Sequence, residues 1–548
     1  MAVLFSMFDL NDNHGVRILA GGSSPPKAPW AVEPSVGLPG TDGGEFAKWY
    51  NGRADKSSFN EKYPVYIVAA QGGGIYAADH VASFLASLHL ACPRFTQHLF
   101  AISGVSGGSV GASVFATYAK AIAKNEPVVA CDFLKSFPDP VDKAGKAINN
   151  DTIYEALAYD FLSPLLGYAL FPDFLQRFLP FPVPAFDRAA ALEKALEMDW
   201  EWAAHRARSS ECESTLCGDF LGHWNPDGTS PALLLNTTEV GSGRRRVIAP
   251  FKFNGALDMR FFPLWDDTYE MSSDDEGQDN SASRMVKNLP KGLRIRLSTA
   301  AILSARFPWL TPAGSFDDYK FIKPTTDKSD VSTHPSEKDG MAVPRPMPGS
   351  EVLPEFKKKK ILLADGGYFE NSGVATAMEL IKEIQNSRLA REGKVDVKMI
   401  VLTSGTFEDA TSFGLSEAFA PVLAMLNARS ARSHITVASA TLELAKSQLG
   451  GSVSPPGTDA RNSRVRIIKL RDIGYQLPLG WRLSQLTQDL IDSQSGDPSN
   501  CHLDKNDERA KDPKTGRNYQ EDTADCVVRY VIGELKGTIL GVPEIAAK

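Results

Sequence analysis

No apolar run in the sequence reaches the roughly 18 to 20 residues that a bilayer-spanning helix needs. Basic surplus is also missing. The net charge is -7, and Arg244–Arg246 is an isolated triplet without interleaved aromatics. Nucleic acid is therefore not an expected partner, and the triplet reads as a solvated turn. Cysteine is scarce, at six in 548 residues. None forms a C-x-x-C pair, and no histidine stands at zinc-ligand spacing from one. No metal is expected. Cys212 with Cys217, and Cys501 with Cys526, could close disulfides, but in a chain this long free thiols are the expectation.

What remains is ordinary globular composition, 43% hydrophobic and 23% charged. Residues 1–10 are apolar but short, without the basic region or cleavage site of a signal peptide. They read as a loosely packed tail, with the remnant of a membrane segment as the alternative. Residues 21–30 (GGSSPPKAPW) are linker-like.

The first strong element is 63–70 (YPVYIVAA), a continuous apolar run that reads as a buried parallel strand. Gly72, Gly73 and Gly74 break it, and a helix over 75–90 follows. A second strand, 99–103, leads into Gly104-Val105-Ser106-Gly107-Gly108 and a small-residue helix over 109–123. Further strands are readable at 232–236, 247–251, 361–364, 397–402 and 464–469, and one or two helices over 415–449. Strand, Gly turn and helix in repetition predict an α/β fold with a mainly parallel central sheet and helices on both faces. Three stretches read as insertions: 151–184, rich in Phe, Leu and Pro; 266–288, acidic and polar; and 317–360, polar and Pro-rich. Residues 1–58 then form a tail and linker, 59–485 the main domain, and 486–548 a C-terminal extension packing on it.

Gly104-x-Ser106-x-Gly108 between a short strand and a small-residue helix has the context of a nucleophile elbow. A serine in so tight a turn needs neighbours without bulky side chains, and its hydroxyl projects over a helix N-terminus that favours developing negative charge. A Gly/Ser turn that merely joins strand to helix is the plain alternative. Gly72–Gly74 exposes backbone N–H groups suited to an oxyanion hole or a phosphate cradle. Gly72-x-Gly74-x-x-Ala77 also fits a dinucleotide motif, but the next strand ends without the acidic residue that reading needs. A P-loop lacks its Gly-Lys-Ser/Thr. Asp365-Gly366-Gly367 follows the strand at 361–363 and continues to Asn371.

Gly72–Gly74, Ser106 in its elbow and Asp365-Gly366-Gly367, in that order, resemble the patatin-like phospholipases. Asn371 also matches the family's D-G-G-x-x-x-N-x-P, although Gly373 stands where that pattern has Pro, and Tyr76 stands where many members carry Arg. Asn236-Thr237-Thr238-Glu239 and the small-residue stretch from Ser298 through Phe307-Pro308 are weaker echoes. The resemblance implies Ser106 as nucleophile and Asp365 as the base that takes its proton directly. It implies Gly72, Gly73 and Gly74 as the oxyanion hole, Gly104, Gly107 and Gly108 as elbow glycines, and Gly366, Gly367 and Asn371 as support for the base loop. No cofactor is implied. The expected reaction is hydrolysis of glycerophospholipid acyl esters, with a phospholipid or membrane surface as partner. Lysophospholipid, neutral glyceride or thioester chemistry is one alternative, and a catalytically silent scaffold is another. The expected location is cytoplasmic or peripheral to a membrane, with anchoring through a missing N-terminal segment as the alternative. None of the nine histidines stands in a catalytic motif, and His80, His89 and His98 read as structural. The Phe-rich stretch 151–184 reads either as a core subdomain or as a lid that docks on lipid.

Overall fold

A computed structural model describes residues 2–19, 35–37, 44–122, 131, 150–205, 214–256, 258–264, 292–307, 310–322, 355–404, 428–429, 431–444, 464–470, 480–496 and 523–535. Nine strands among these form one sheet: β1 Tyr63–Ala70, β2 Leu99–Val105, β3 Ala232–Glu239, β4 Arg245–Ile248, β5 Met259–Phe261, β6 Gly314–Ile322, β7 Glu355–Asp365, β8 Val395–Ser404 and β9 Val465–Leu470. Along the sheet they run β5-β4-β3-β2-β1-β8-β9, with β7 pairing both β3 and β6. The central pairs β8–β1, β1–β2 and β2–β3 are parallel, as is β8–β9. Parallel strands covered on both faces are continuous apolar runs, which is why YPVYIVAA is buried throughout.

Side chains alternate across β1 and so separate two cores. Tyr66, Val68 and Ala70 join one with the helices Ile75–Ala91, Gly107–Ile122, Arg188–His205 and Leu297–Ser304. Val65, Ile67 and Ala69 join the other with the helices Glu45–Asn51 and Val374–Gln385 and with Ala440 and Leu444 of the helix 431–444. The result is three layers: helices, mainly parallel sheet, helices.

Arg245 and Arg246, expected in a solvated turn, instead stand in β4 and are buried, and three further departures are instructive. The stretch 317–360 gives its two ends to the sheet, because β6 and β7 pair antiparallel from Gly314↔Leu363 to Ile322↔Glu355. The strand β5 and the first half of β7 were not legible as strands. Cysteine is the third. Cys92 is joined to Cys131, and Cys217 and Cys526 are each in a disulfide with a partner outside the described residues, so the expected free thiols are corrected. The stretches 21–30, 266–288 and 415–427 lie outside the described residues.

Residues expected as a loosely packed tail begin with a short helix, Ala2–Met7. Leu4, Met7, Phe8 and Leu10 are exposed, while Asn11 donates to the Arg177 carbonyl. Phe161 and Leu165 of the Phe-rich stretch are buried; Leu170, Phe171, Phe174, Leu175, Phe178 and Phe181 are each more than half exposed. No helix of the described residues is long and apolar enough to cross a membrane.

Candidate active site

The register of the sheet brings two distant turns together. Val105, the last residue of β2, pairs with Asn236 of β3, and Asp365, the last residue of β7, pairs with Thr237. β3 is thus flanked by the ends of both strands, and Ser106 and Asp365 emerge at one edge. The Ser106 hydroxyl donates to Asp365 Oδ2 at 2.6 Å. Among the described residues, no other hydrogen bond engages that hydroxyl and no histidine hydrogen-bonds either residue.

Ser106 has φ 52°, in the left-handed region that a non-glycine residue seldom adopts. Such strain persists only where surroundings over-determine it, and here they do. Ser304, at the end of helix Leu297–Ser304, accepts from the Ser106 N–H at 3.2 Å, donates to the Asn236 carbonyl at 2.5 Å and shares a 2.7 Å bond with Ser109. Ser109 and Val110 N–H groups bond back to the Ser106 carbonyl and start the helix beneath it. A Cβ on Gly107 would overlap the Gly74 carbonyl, so only glycine lets the elbow helix approach the Gly72–Gly74 loop this closely. Gly104 and Gly108 lie in the same contact zone, against Ser109 and against the Ala70 and Gln71 carbonyls.

The base loop is equally held. The Asp365 N–H bonds the Arg306 carbonyl, Thr238 donates to the Asp365 carbonyl at 2.9 Å, and Oδ1 accepts the Gly367 N–H at 2.7 Å. Asp365 is 1% exposed. Burial raises its pKa above the ordinary carboxylate value, while the Ser106 donor, the Arg429 charge and the Gly367 N–H pull it back. Gly366 lies against the Asn236 carbonyl. Asn371 joins the two loops: its carbonyl accepts the Gly72 N–H at 2.9 Å, and its amide donates to the Gly72 carbonyl at 3.2 Å. Gly373, where the resemblance has proline, is at φ 75°, a conformation closed to proline, and its N–H bonds Glu370.

The Gly72 N–H donates to the Asn371 carbonyl, whereas no hydrogen bond among the described residues engages the N–H groups of Gly73, Gly74 or Gly107. Tyr76 is buried in the core beside Ile75 and Ala77. The three histidines read as structural are buried. His98 bonds the Pro64 carbonyl and Asp55, and His80 is pushed down to about 4 by burial.

Two contributors were not among the expected site residues. Ser304 is one. The other is the segment 428–444, docked by the Asn371 N–H donating to Ser433 at 2.9 Å. It brings Arg432 onto the Phe369 carbonyl and ring, and Arg429 beside Gly367. Phe307 and Tyr368, stacked at 6.3 Å, carry an aromatic surface outward from the base loop. Among the described residues, no group of three His, Cys, Asp or Glu could hold a metal ion.

No known protein family and no curated protein matches the sequence. Among solved structures, the crystal structure of VipD from Legionella pneumophila is similar over 79% of this chain and 68% of its own, at 14% identity and a TM-score of 0.22.

Proposed function

We propose that this chain is a serine acyl hydrolase of the patatin-like phospholipase type, cleaving acyl esters of glycerophospholipids. One observation carries the reading: a serine at positive φ on a strand-to-helix turn, its hydroxyl 2.6 Å from a buried aspartate and without another hydrogen-bond partner among the described residues. A linking turn has no use for that strain, and a scaffold has no use for a buried carboxylate whose pKa is raised.

The steps follow from the atoms. Asp365 Oδ2 takes the hydroxyl proton as Ser106 Oγ bonds to the ester carbonyl carbon. A free aspartate is a poor base at neutral pH, and burial makes this one stronger. Negative charge then develops on the carbonyl oxygen, opposite the unengaged N–H groups of Gly73, Gly74 and Gly107 and the N-terminus of helix Gly107–Ile122. The tetrahedral centre collapses to an acyl-serine, and the leaving alkoxide takes the proton from Asp365. Water then gives a proton to Asp365 and its oxygen to the acyl carbon. The fatty acid departs and the proton returns to Ser106.

The substrate class rests on the apolar surroundings. The Phe307–Tyr368 stack borders the site, and the exposed Phe and Leu side chains of 166–181 form a surface suited to a membrane interface. Disulfides at Cys92, Cys217 and Cys526 favour an oxidising compartment over the cytoplasm. The test is lipid profiling of mixed phospholipid vesicles incubated with wild type and with Ser106→Ala. Lysophospholipid and fatty acid are expected from wild type alone. Equal products from both proteins, or none from wild type, would overturn the reading.

A further inference from the structure

Several buried arginines among the described residues reach carboxylate partners. Arg245 reaches Glu379, Arg246 reaches Glu239 and Asp318, and Arg306 faces Glu193. Arg429 is 9% exposed, its Nε is buried without a hydrogen-bond partner, and no carboxylate lies within ion-pair reach of it among the described residues. A guanidinium cannot shed its proton, so a buried one without a partner is costly unless an anion arrives.

Its position is defined. Ser433, one helical turn on, donates to the Arg429 carbonyl and accepts from the Asn371 N–H, which ties this helix to the base loop. Arg429 Nη1 stands 3.4 Å from where a Cβ on Gly367 would lie, and Asp365 Oδ1 stands 2.9 Å from the same point. Its charge acts on both Asp365 and Tyr368. Asp365 feels this charge without forming an ion pair or hydrogen bond with it, while its Oδ2 accepts from Ser106 and its Oδ1 from Gly367. Arg432, on the same segment, is already used on Phe369.

We infer that Arg429 is the substrate-reading cation of this site, binding the phosphodiester of a glycerophospholipid whose acyl ester lies at Ser106. The inference rests on the hydrolase reading above and decides within it between phospholipids and neutral glycerides. A phosphodiester stands only a few bonds from the acyl ester in such a lipid, and a guanidinium fork matches its paired oxygens. A neutral glyceride would leave the buried cation unmet. The cation also comes from a segment far along the chain from the glycine loop, where Tyr76 stands in place of the arginine that the resemblance would supply.

The experiment compares kcat/KM on monomeric dihexanoyl phosphatidylcholine and on dihexanoylglycerol, for wild type and Arg429→Gln. The phospholipid-to-glyceride ratio is expected to fall about 10- to 100-fold, the range of a charged hydrogen-bonded contact. A fall common to both substrates, with the ratio unchanged, would make Arg429 a positioning residue for Asp365 and overturn the inference. A second measurement needs no variant. Dihexyl phosphate, which carries no acyl ester, should inhibit glyceride hydrolysis by wild type competitively, where dihexyl ether does not. Equal inhibition by both, or by neither, counts against the assignment. Ser106→Ala separates the two readings. If it leaves either hydrolysis intact, the hydrolase reading fails; if it abolishes both while the ratio ignores Arg429, only the present inference falls.

Discussion

At the edge where β2 and β7 end, polar groups are buried and held: Asp365 by Ser106 and Gly367, Ser304 by three partners, Asn371 by both carbonyl and amide of Gly72. In the stretch 161–181 the distribution reverses. Phe161 and Leu165 anchor it in the core, and beyond them Leu170, Phe171, Phe174, Leu175, Phe178 and Phe181 stand more than half exposed. Two polar residues among them, Asp173 and Gln176, are buried instead. The first region keeps its chemistry out of water; the second presents to water what a fold normally hides. Exposed apolar patches of this kind mark surfaces that meet something apolar. The proposed function assigns bond cleavage to the sheet edge and contact with aggregated lipid to the Phe-rich surface.

The sharpest division is expected from the edge. Ser106→Ala should lower kcat by about four orders of magnitude or more on vesicles and on a short soluble ester alike. Asp365→Asn should cost nearly as much, and the double variant little more than either, because nucleophile and base act as a unit. Paired kinetics on both substrates check this. Near-wild-type turnover in Asp365→Asn would hand the base role to another group.

The other region should break the symmetry between substrates. Replacing Phe171, Phe174 and Phe178 with Ser removes side chains that each contribute up to about 1.5 to 3 kcal/mol when they leave water. Vesicle turnover should drop about 100-fold or more, while the soluble ester, whose chemistry is untouched, is cleaved at a rate close to that of wild type. Equal loss on both, with a large drop in melting temperature, would return this stretch to the core-subdomain reading.

The sequence exposed the edge better than its surroundings, for physical reasons. A strand followed by a glycine turn and a helix constrains residue type locally, so Ser106, Gly72–Gly74 and Asp365 stood out. β6 and the first half of β7 did not, because Asp317 and Asp318 pair with Lys360 and Lys359 in register and a ribbon of opposite charges reads as a polar loop. Arg429 was silent because its meaning depends on one contact, Asn371 to Ser433, across 62 residues. The Phe-rich stretch could be read two ways until exposure separated its two buried anchors from the side chains outside.

A smaller effect tests how the edge balances activity against stability. The folded-state pKa of Asp365 is raised, so its ionisation opposes folding: the cost is absent below the ordinary value of 3.8 and complete above the raised value. Asp365→Asn should therefore melt at or above the wild-type temperature at neutral pH, with the gap closing as pH falls toward 3.8. Thermal melts across that range check the sign. A variant that melts well below wild type at neutral pH would mean the carboxylate stabilises the fold.

The central claim is that Ser106, activated by Asp365, is the nucleophile, and a fluorophosphonate probe tests it most directly. Wild type should be labelled at Ser106 alone, mapped by peptide mass spectrometry, and Asp365→Asn should label far more slowly. Labelling that persists unchanged in Ser106→Ala, or that maps to another residue in wild type, would contradict the account.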